Sequence, residues 1–335
     1  MSDRINLAHG DGGELAHKLI QDVFVEKFGH DKQAQLDAAL LSLSSSEIAF
    51  TTDSFVVKPL FFPGGNIGKL AVAGTVNDLA VTGATPKFLT ASFIIEEGFL
   101  IKDLRVIVES MYEEAEKAGV KIVAGDTKVV ELGSADGLYI NTTGIGVFES
   151  NQVRIQPENI EVGDSIIISG TIGDHGIAIL TARGELGIKS DLCSDCATLN
   201  RMIADVVQVS EHVKMMRDPT RGGLATTLVE ICEDFKVTVE IEESRVPIKN
   251  QVHGASDILG FDPLYLANEG KIIFIVAKED EDKVLQAVRQ HEEGKDACVI
   301  GKVTAKDKGQ LFITTPIGSK RRLNRLAGTM LPRIC

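Results

Sequence analysis

The chain has 335 residues, 44% of them apolar and 25% charged, with a formal net charge of −13 at pH 7. This is the composition of a soluble globular protein long enough for two ordinary domains with ample core. The acidic balance argues against nucleic acid and anionic membrane as partners, and no stretch approaches the roughly 20 apolar residues of a membrane span.

In chain order, the opening MSDRINLAHGDGG has no apolar core of the kind a secretory signal carries, which predicts a cytoplasmic protein. Residues 14–28 read as an amphipathic helix, with Leu15, Leu19, Val23 and Phe24 on one face and Gly29 as its stop. Residues 47–57 (EIAFTTDSFVV) read as a strand with an acidic break at Asp53. Residues 67–81 read as a helix of small residues suited to close packing. A strand at 88–95, a helix at 101–118 ended by Gly119, and strands at 120–124 and 138–148 follow. The last of these is rich in Thr and Gly, as in a curved or edge-paired sheet. Together these make a first unit, residues 1–150.

A second unit begins near residues 157–163 and runs to 305. Its predicted strands are 165–169, 237–241, 271–277 and 297–303, and its predicted helices 176–183, 197–208, 224–235 and 281–292. Strands alternating with helices predict α/β or α+β layers in both units. Residues 306–335 hold a short strand at 311–314, then a basic run of Lys320, Arg321, Arg322 and Arg325. This cationic stretch, set against an acidic body, predicts a mobile tail.

Four aspartates sit at the ends of apolar segments: Asp53 in TTDSF, Asp78 in VNDLA, Asp126 in AGDTK and Asp218 in RDPTRGG. Carboxylates from separate loops suit a hard cation, and Mg²⁺ usually combines a few of them with substrate phosphates. Each alone is equally an ordinary helix cap or turn residue. Glycine pairs precede three predicted helices, at Gly12-Gly13, Gly64-Gly65 and Gly222-Gly223, where backbone N–H groups can meet phosphate. Tight turns explain these pairs as well, and none is a Walker A motif. Arg217 and Arg221 flank Asp218 and suit either phosphate or an ion pair. His9 lies in the first glycine loop, with a functional or a turn role open to it.

Five cysteines, an odd number, fit a reducing compartment. Cys193 and Cys196 have the CxxC spacing without a second pair and read as incidental, while Cys232 and Cys298 read as core. Cys335 closes the sequence Leu331-Pro332-Arg333-Ile334-Cys335. A thiol so placed can enter a pocket end-on or swing between two pockets. Its reactive thiolate form, with a usual pKa of about 8.5, is favoured by Arg333 and opposed by its own carboxylate.

The segments TTDSFVV, PLFFPGGNIGKLAVAGTVNDLAVTGA, AGDTKVV, RDPTRGGLA, LANEGK and the closing PRIC together resemble the HypE family of hydrogenase maturation proteins. This family lies in the superfamily that includes aminoimidazole ribonucleotide synthetase. The resemblance runs from HGDGG to Cys335, and the acidic motifs alone would give only the superfamily. One departure, Arg183-Gly184-Glu185 for the expected Arg-Glu-Gly, touches no proposed chemical group.

The resemblance implies an N-terminal ATP-binding domain with a mixed sheet that pairs in a homodimer, and a C-terminal α/β domain. It implies that a carbamoyltransferase, HypF, loads a carbamoyl group on the Cys335 thiol. ATP then drives dehydration to a protein thiocyanate, and the cyano group passes to iron on a HypC–HypD complex. By the same resemblance Cys335 is the carrier, and Lys128 and Glu269 lie near its pocket. Asp53, Asp78, Asp126 and Asp218 surround Mg–ATP, with Asn77, Gly12 and Gly13 as further nucleotide-binding positions.

These residue types suit that chemistry. An amide oxygen leaves poorly until phosphorylated, a carboxylate such as Glu269 can take protons from nitrogen, and Lys128 can stabilise negative charge on the phosphoryl group. Two other readings stand beside it. A selenophosphate synthetase would carry Cys or selenocysteine near the first glycine loop, where HGDGG has neither, and a thiamine-phosphate kinase needs no terminal cysteine. A non-catalytic scaffold would use the tail only for docking.

Overall fold

The computed structural model describes residues 4–9, 14–28, 43, 47–148, 155–184, 187 and 190–326. The predicted helix at 14–28 forms as α1 (Glu14–Leu19), a π-wound stretch (Ile20–Val25) and α2 (Glu26–Phe28) in unbroken succession. Leu19, Val23 and Phe24 are buried, but Leu15 is 44% exposed. The wider π turns, which begin only after Leu19, shift Val23 and Phe24 off the 3.6-residue stripe that Leu15 and Leu19 start.

After β1 (Ile48–Phe55) come the small hairpin of β2 (Phe61–Phe62) and β3 (Gly65–Asn66), α3 (Ile67–Val81), β4 (Thr85–Glu96), α4 (Ile101–Ala118), β5 (Lys121–Val130) and β6 (Leu138–Val147). The large strands form a sheet of order β1-β6-β4-β5. It is mixed: β6 is antiparallel to β1 and β4, while β4 and β5 are parallel, with α4 as the crossover. Both helices lie on one face. The Asn66 carboxamide caps α3, accepting from the N–H groups of Gly68 at 2.8 Å and Lys69 at 3.2 Å. Nearly all of α3 is buried, as its all-round small and apolar composition requires. At Gly68 the two helices touch so closely that a Cβ would stand 2.3 Å from the Ile107 carbonyl oxygen. Among the described residues nothing covers the sheet's other face, and Phe50 is 66% exposed there.

The second domain runs through β7 (Ser165–Ile168), α5 (Asp174–Ala182), α6 (Asn200–Val209), β8 (Val213–Arg217), α7 (Gly223–Phe235), β9 (Val237–Glu242), α8 (Asn250–Leu259), β10 (Ile273–Val276), α9 (Glu281–Arg289), β11 (Cys298–Lys306), β12 (Leu311–Thr314) and β13 (Lys320–Leu323). Its sheet has the order β13-β12-β9-β11-β7-β10-β8. β7 and β10 are buried at every position, so they read as continuous apolar runs. Ile166, Ile168, Ile273 and Ile275 pack against Leu224, Leu228 and Ile231 of α7. Ile167, Phe274 and Val276 pack oppositely, against Met202 and Val206 of α6 and Val284 and Val288 of α9.

Two expectations are corrected here, and two unpredicted elements appear. The tail does not begin at 306: β12 joins β9 in parallel and β13 pairs with β12, so Leu311, Ile313 and Leu323 are buried. Its cations are held by ion pairs, Lys320 with Glu240 at 2.7 Å and Arg321 with Asp262 at 3.3 Å. Residues 327–335 lie outside the described residues. β8 and α8 had no clear signal, because VKMMR barely alternates and NQVHGASDIL carries a mid-helix glycine and few apolar positions. β5 extends past the expected 120–124, so Asp126 and Lys128 stand on a strand, not in a loop.

The domains meet along a polar seam around α3 and α4. The Glu114 carboxylate accepts from the Thr198 N–H at 2.9 Å and hydroxyl at 2.8 Å, and Asn200 donates to the Ala118 carbonyl at 2.8 Å. Each contact satisfies a group that burial would otherwise leave unpaired.

Candidate active site

Three of the four aspartates converge where the first domain's helix face meets the second domain. Asp53 lies on β1, Asp78 near the end of α3, and Asp218 just before α7. Thr51, two residues before Asp53, donates to Asp78 at 3.3 Å. Burial and the neighbouring Asp218 and Asp53 carboxylates push the Asp78 pKa up to about 7. Asp53 and Asp218 are also raised, chiefly by burial; Arg221 counters this at Asp53 and Arg217 at Asp218. Three carboxylates that each raise or suffer the others' pKa form a site waiting for positive charge.

The adjacent backbone suits an anion. Gly222, with φ of +77°, precedes α7 and offers no capping side chain, so the helix N-terminus is left to other acceptors. Gly223 is required by close approach: a Cβ there would stand 2.6 Å from the Leu266 carbonyl oxygen. Arg221 is exposed beside Asp53, whereas Arg217 pairs with Glu230 at 3.3 Å. Gly64-Gly65 serves packing instead. A Cβ on Gly64 would lie 2.7 Å from the Ser194 carbonyl oxygen, so that pair is closed against the second domain.

Asp126 and Lys128 do not join this cluster within one subunit. Strand register sets Ser54, Asn141, Ser92 and Asp126 in one row across the sheet, and Asp53, Thr142, Ala91 and Gly125 in the next. Thr142 is wholly buried and donates to Ala71 of α3, so the row of Asp53 faces the helices. The alternate row of Asp126 therefore faces the uncovered side. Three strand spacings, about 14 Å, also separate β1 from β5. On that open face Lys128 pairs with Asp126 at 3.0 Å.

Glu269 is 5% exposed and sits on the far side of the helix layer, in a turn wedged between the 193–197 loop and the Asp218 segment. Its backbone N–H donates to Asp195 at 3.1 Å, and the next residue, Gly270, has no room for a side chain beside the Asp195 carbonyl. Lys128 and Glu269 of one chain are thus on opposite sides of the sheet and its helices. The Asn77 side chain is engaged in the seam: its amide donates to the Ala197 carbonyl at 3.0 Å and accepts from the Leu199 N–H at 2.8 Å. Gly12, Gly13 and Cys335 lie outside the described residues. His9 takes the turn role, with Nδ1 2.9 Å from the Asn6 carboxamide oxygen. Cys193 is exposed and Cys196 buried, while Cys298, expected in the core, is only partly covered.

Among the described residues no three His, Cys, Asp or Glu side chains are grouped closely enough to hold a metal unaided. The donor set of Asp53, Asp78 and Asp218 is nevertheless all carboxylate oxygen with repelling charge, which fits Mg²⁺ completed by substrate phosphates. Among the described residues no helix is long and apolar enough to cross a membrane.

Family models match both domains: "AIR synthase related protein, N-terminal domain" over residues 35–148 and the corresponding C-terminal domain over 161–314. The chain is 46% identical to carbamoyl dehydratase HypE of Rhodobacter capsulatus, over 99% of this chain and 98% of that protein. A solved structure of hydrogenase maturation protein HypE in complex with ATP matches with TM-score 0.93 and 43% identity, covering 98% of this chain and 99% of that one. A chain in a solved HypE–HypF complex matches with TM-score 0.80 and 50% identity, covering 92% and 99%.

Proposed function

The chain belongs to the HypE carbamoyl dehydratases, ATP-dependent enzymes of hydrogenase maturation within the AIR synthase related family, and we propose that it works through a site shared by two subunits. The reaction takes a carbamoyl group on the Cys335 sulfur and ATP to a thiocyanate, ADP and phosphate. The amide oxygen leaves as phosphate and nitrogen loses both protons, so the C–N bond becomes triple. HypF is the partner that supplies the carbamoyl group, and an iron-bearing HypC–HypD pair the acceptor of the cyano group.

Asp53, Asp78 and Asp218 would hold magnesium, which when bound would neutralise their crowded charge and that of the triphosphate. Arg221 and the α7 N-terminus bind its oxygens. Asp126 and Lys128 come from a second copy whose open sheet face lies against this one with its β5 over the β1 edge that carries Asp53, so that they reach the site past that edge. Exposed Phe50, Ile48 and Ile94 on that face give the pairing apolar area, in an isologous arrangement that completes two sites at once. Lys128 then stabilises charge on the transferring phosphoryl group, and Glu269, buried and held by its backbone, takes a proton from nitrogen. The single observation that carries this reading is the convergence of three mutually repelling aspartates beside an uncapped helix start.

Intact-protein mass spectrometry tests it. Incubation with ATP, carbamoyl phosphate and HypF should add one carbamoyl and then remove one water. Cys335→Ala should gain nothing, and Glu269→Gln should stop at the carbamoyl stage. Thiocyanate forming at an undiminished rate in Glu269→Gln would remove that residue as the base.

A further inference from the structure

The turn that carries Glu269 is tied to the segment that carries Asp218 by one side chain. Asn268 has no solvent exposure, and its carboxamide makes three hydrogen bonds, two of them using both amide donors. Nδ2 donates to the Pro219 carbonyl at 2.9 Å and to the Leu266 carbonyl at 3.1 Å, while Oδ1 accepts from the Gly173 N–H at 2.7 Å. Its backbone N–H also donates to Pro219, at 3.2 Å. Pro219 thus receives two hydrogen bonds from one residue. It lies between Asp218, in the carboxylate cluster, and Arg221, which faces Asp53.

The other side of the turn is held as firmly. Asp195 accepts from the Glu269 N–H at 3.1 Å and lies 3.3 Å from Lys271, whose ammonium also donates to the Gly270 carbonyl at 3.1 Å. Glu269 therefore has one backbone neighbour bound to the nucleotide-side segment and its own N–H bound to the second domain's loop. Neither segment can shift by an ångström without breaking a buried hydrogen bond and leaving a buried donor or acceptor unpaired.

We infer that Asn268 is a positioning residue that keeps the Asp218–Pro219–Arg221 segment in register with the Glu269 carboxylate, so that ATP consumption stays tied to dehydration. This rests on the proposed roles of Asp218 and Glu269. Phosphorylating the amide oxygen is useful only if a base is already at the nitrogen. When the two groups drift apart, the activated oxygen meets water before the nitrogen loses its protons, and phosphate is released without a thiocyanate. Misplacement by about 1 Å is enough to slow an oriented step by about 10²-fold.

The test counts phosphate released per thiocyanate formed in carbamoyl-loaded protein, with ATP affinity measured by calorimetry. The wild type should release one phosphate per thiocyanate. Asn268→Ala should bind ATP within about threefold of the wild type, form thiocyanate about 10²-fold more slowly, and release about tenfold more phosphate per thiocyanate. If that protein does not fold, Asn268→Asp keeps the shape and the acceptor for Gly173 while removing the amide donors, and the same ratio decides. A ratio that stays at one, at whatever rate, overturns the inference, as does loss of ATP binding, which would make Asn268 a binding residue only. A wild type that forms no thiocyanate with ATP would instead remove the reading of the reaction itself.

Discussion

At Asp78 the proposed binding of magnesium and the folding of the chain make opposite demands. A free aspartate titrates near 3.9, and here burial and the Asp218 and Asp53 charges carry it to about 7. Between pH 4 and 7 the folded chain holds a proton that the unfolded chain has lost, so this group's contribution to stability falls as pH rises through that window. Asp78→Asn should therefore raise the thermal midpoint of the nucleotide-free protein at pH 8, with the gain shrinking as pH falls through 7. The same substitution should weaken Mg–ATP binding, and in the wild type that affinity should rise between pH 6 and 8 as the carboxyl ionises. A lower midpoint at pH 8 would contradict the cost of ionising buried Asp78, and an affinity independent of pH would remove it from the proposed metal-binding set. The aspartates were legible as a group because each stands at the end of an apolar segment. That Asp126 faces away from Asp53 was not, since side-chain direction depends on cross-strand register, which a one-residue slip would reverse. Spacing gave no sign of Glu269 either; only the LANEGK resemblance singled it out, and Asn268 beside it went unremarked.

Among the elements, α3 decides where Asp78 stands. Its small residues were read from the sequence as a means of close packing, and Gly68 against Ile107 is where that closeness is greatest. Gly68→Ala should force α3 and α4 apart and lower stability by about 1–3 kcal/mol, read as a lower denaturation midpoint at unchanged slope. An unchanged midpoint would mean the helices have slack. Long periodic elements such as α4 and α7 were legible because apolar residues recur at three- and four-residue spacing. β8, α8 and β13 were not, because their burial comes from neighbours. Leu323 pairs across from Leu311, and the cations around it find carboxylates on β9 and near α8 that only the fold brings close. A basic run was read as a tail for want of those partners.

At the scale of the whole molecule, the residues of the proposed site lie on opposite faces of one subunit. Asp53, Asp78, Asp218 and the Glu269 turn lie where the domains meet, while Asp126 and Lys128 lie on a bare sheet with Phe50 and Ile94. A second copy is the simplest source of the missing half. The direct measurement is subunit complementation, with thiocyanate formation by intact mass as readout. Asp78→Asn and Lys128→Ala should each be nearly inactive alone, since every dimer then has two broken sites. Co-expressed and mixed at random, half the dimers should be mixed, each with one intact site, giving about a quarter of wild-type activity. Activity no greater than the two variants separately would contradict the shared site and put the reaction within one subunit.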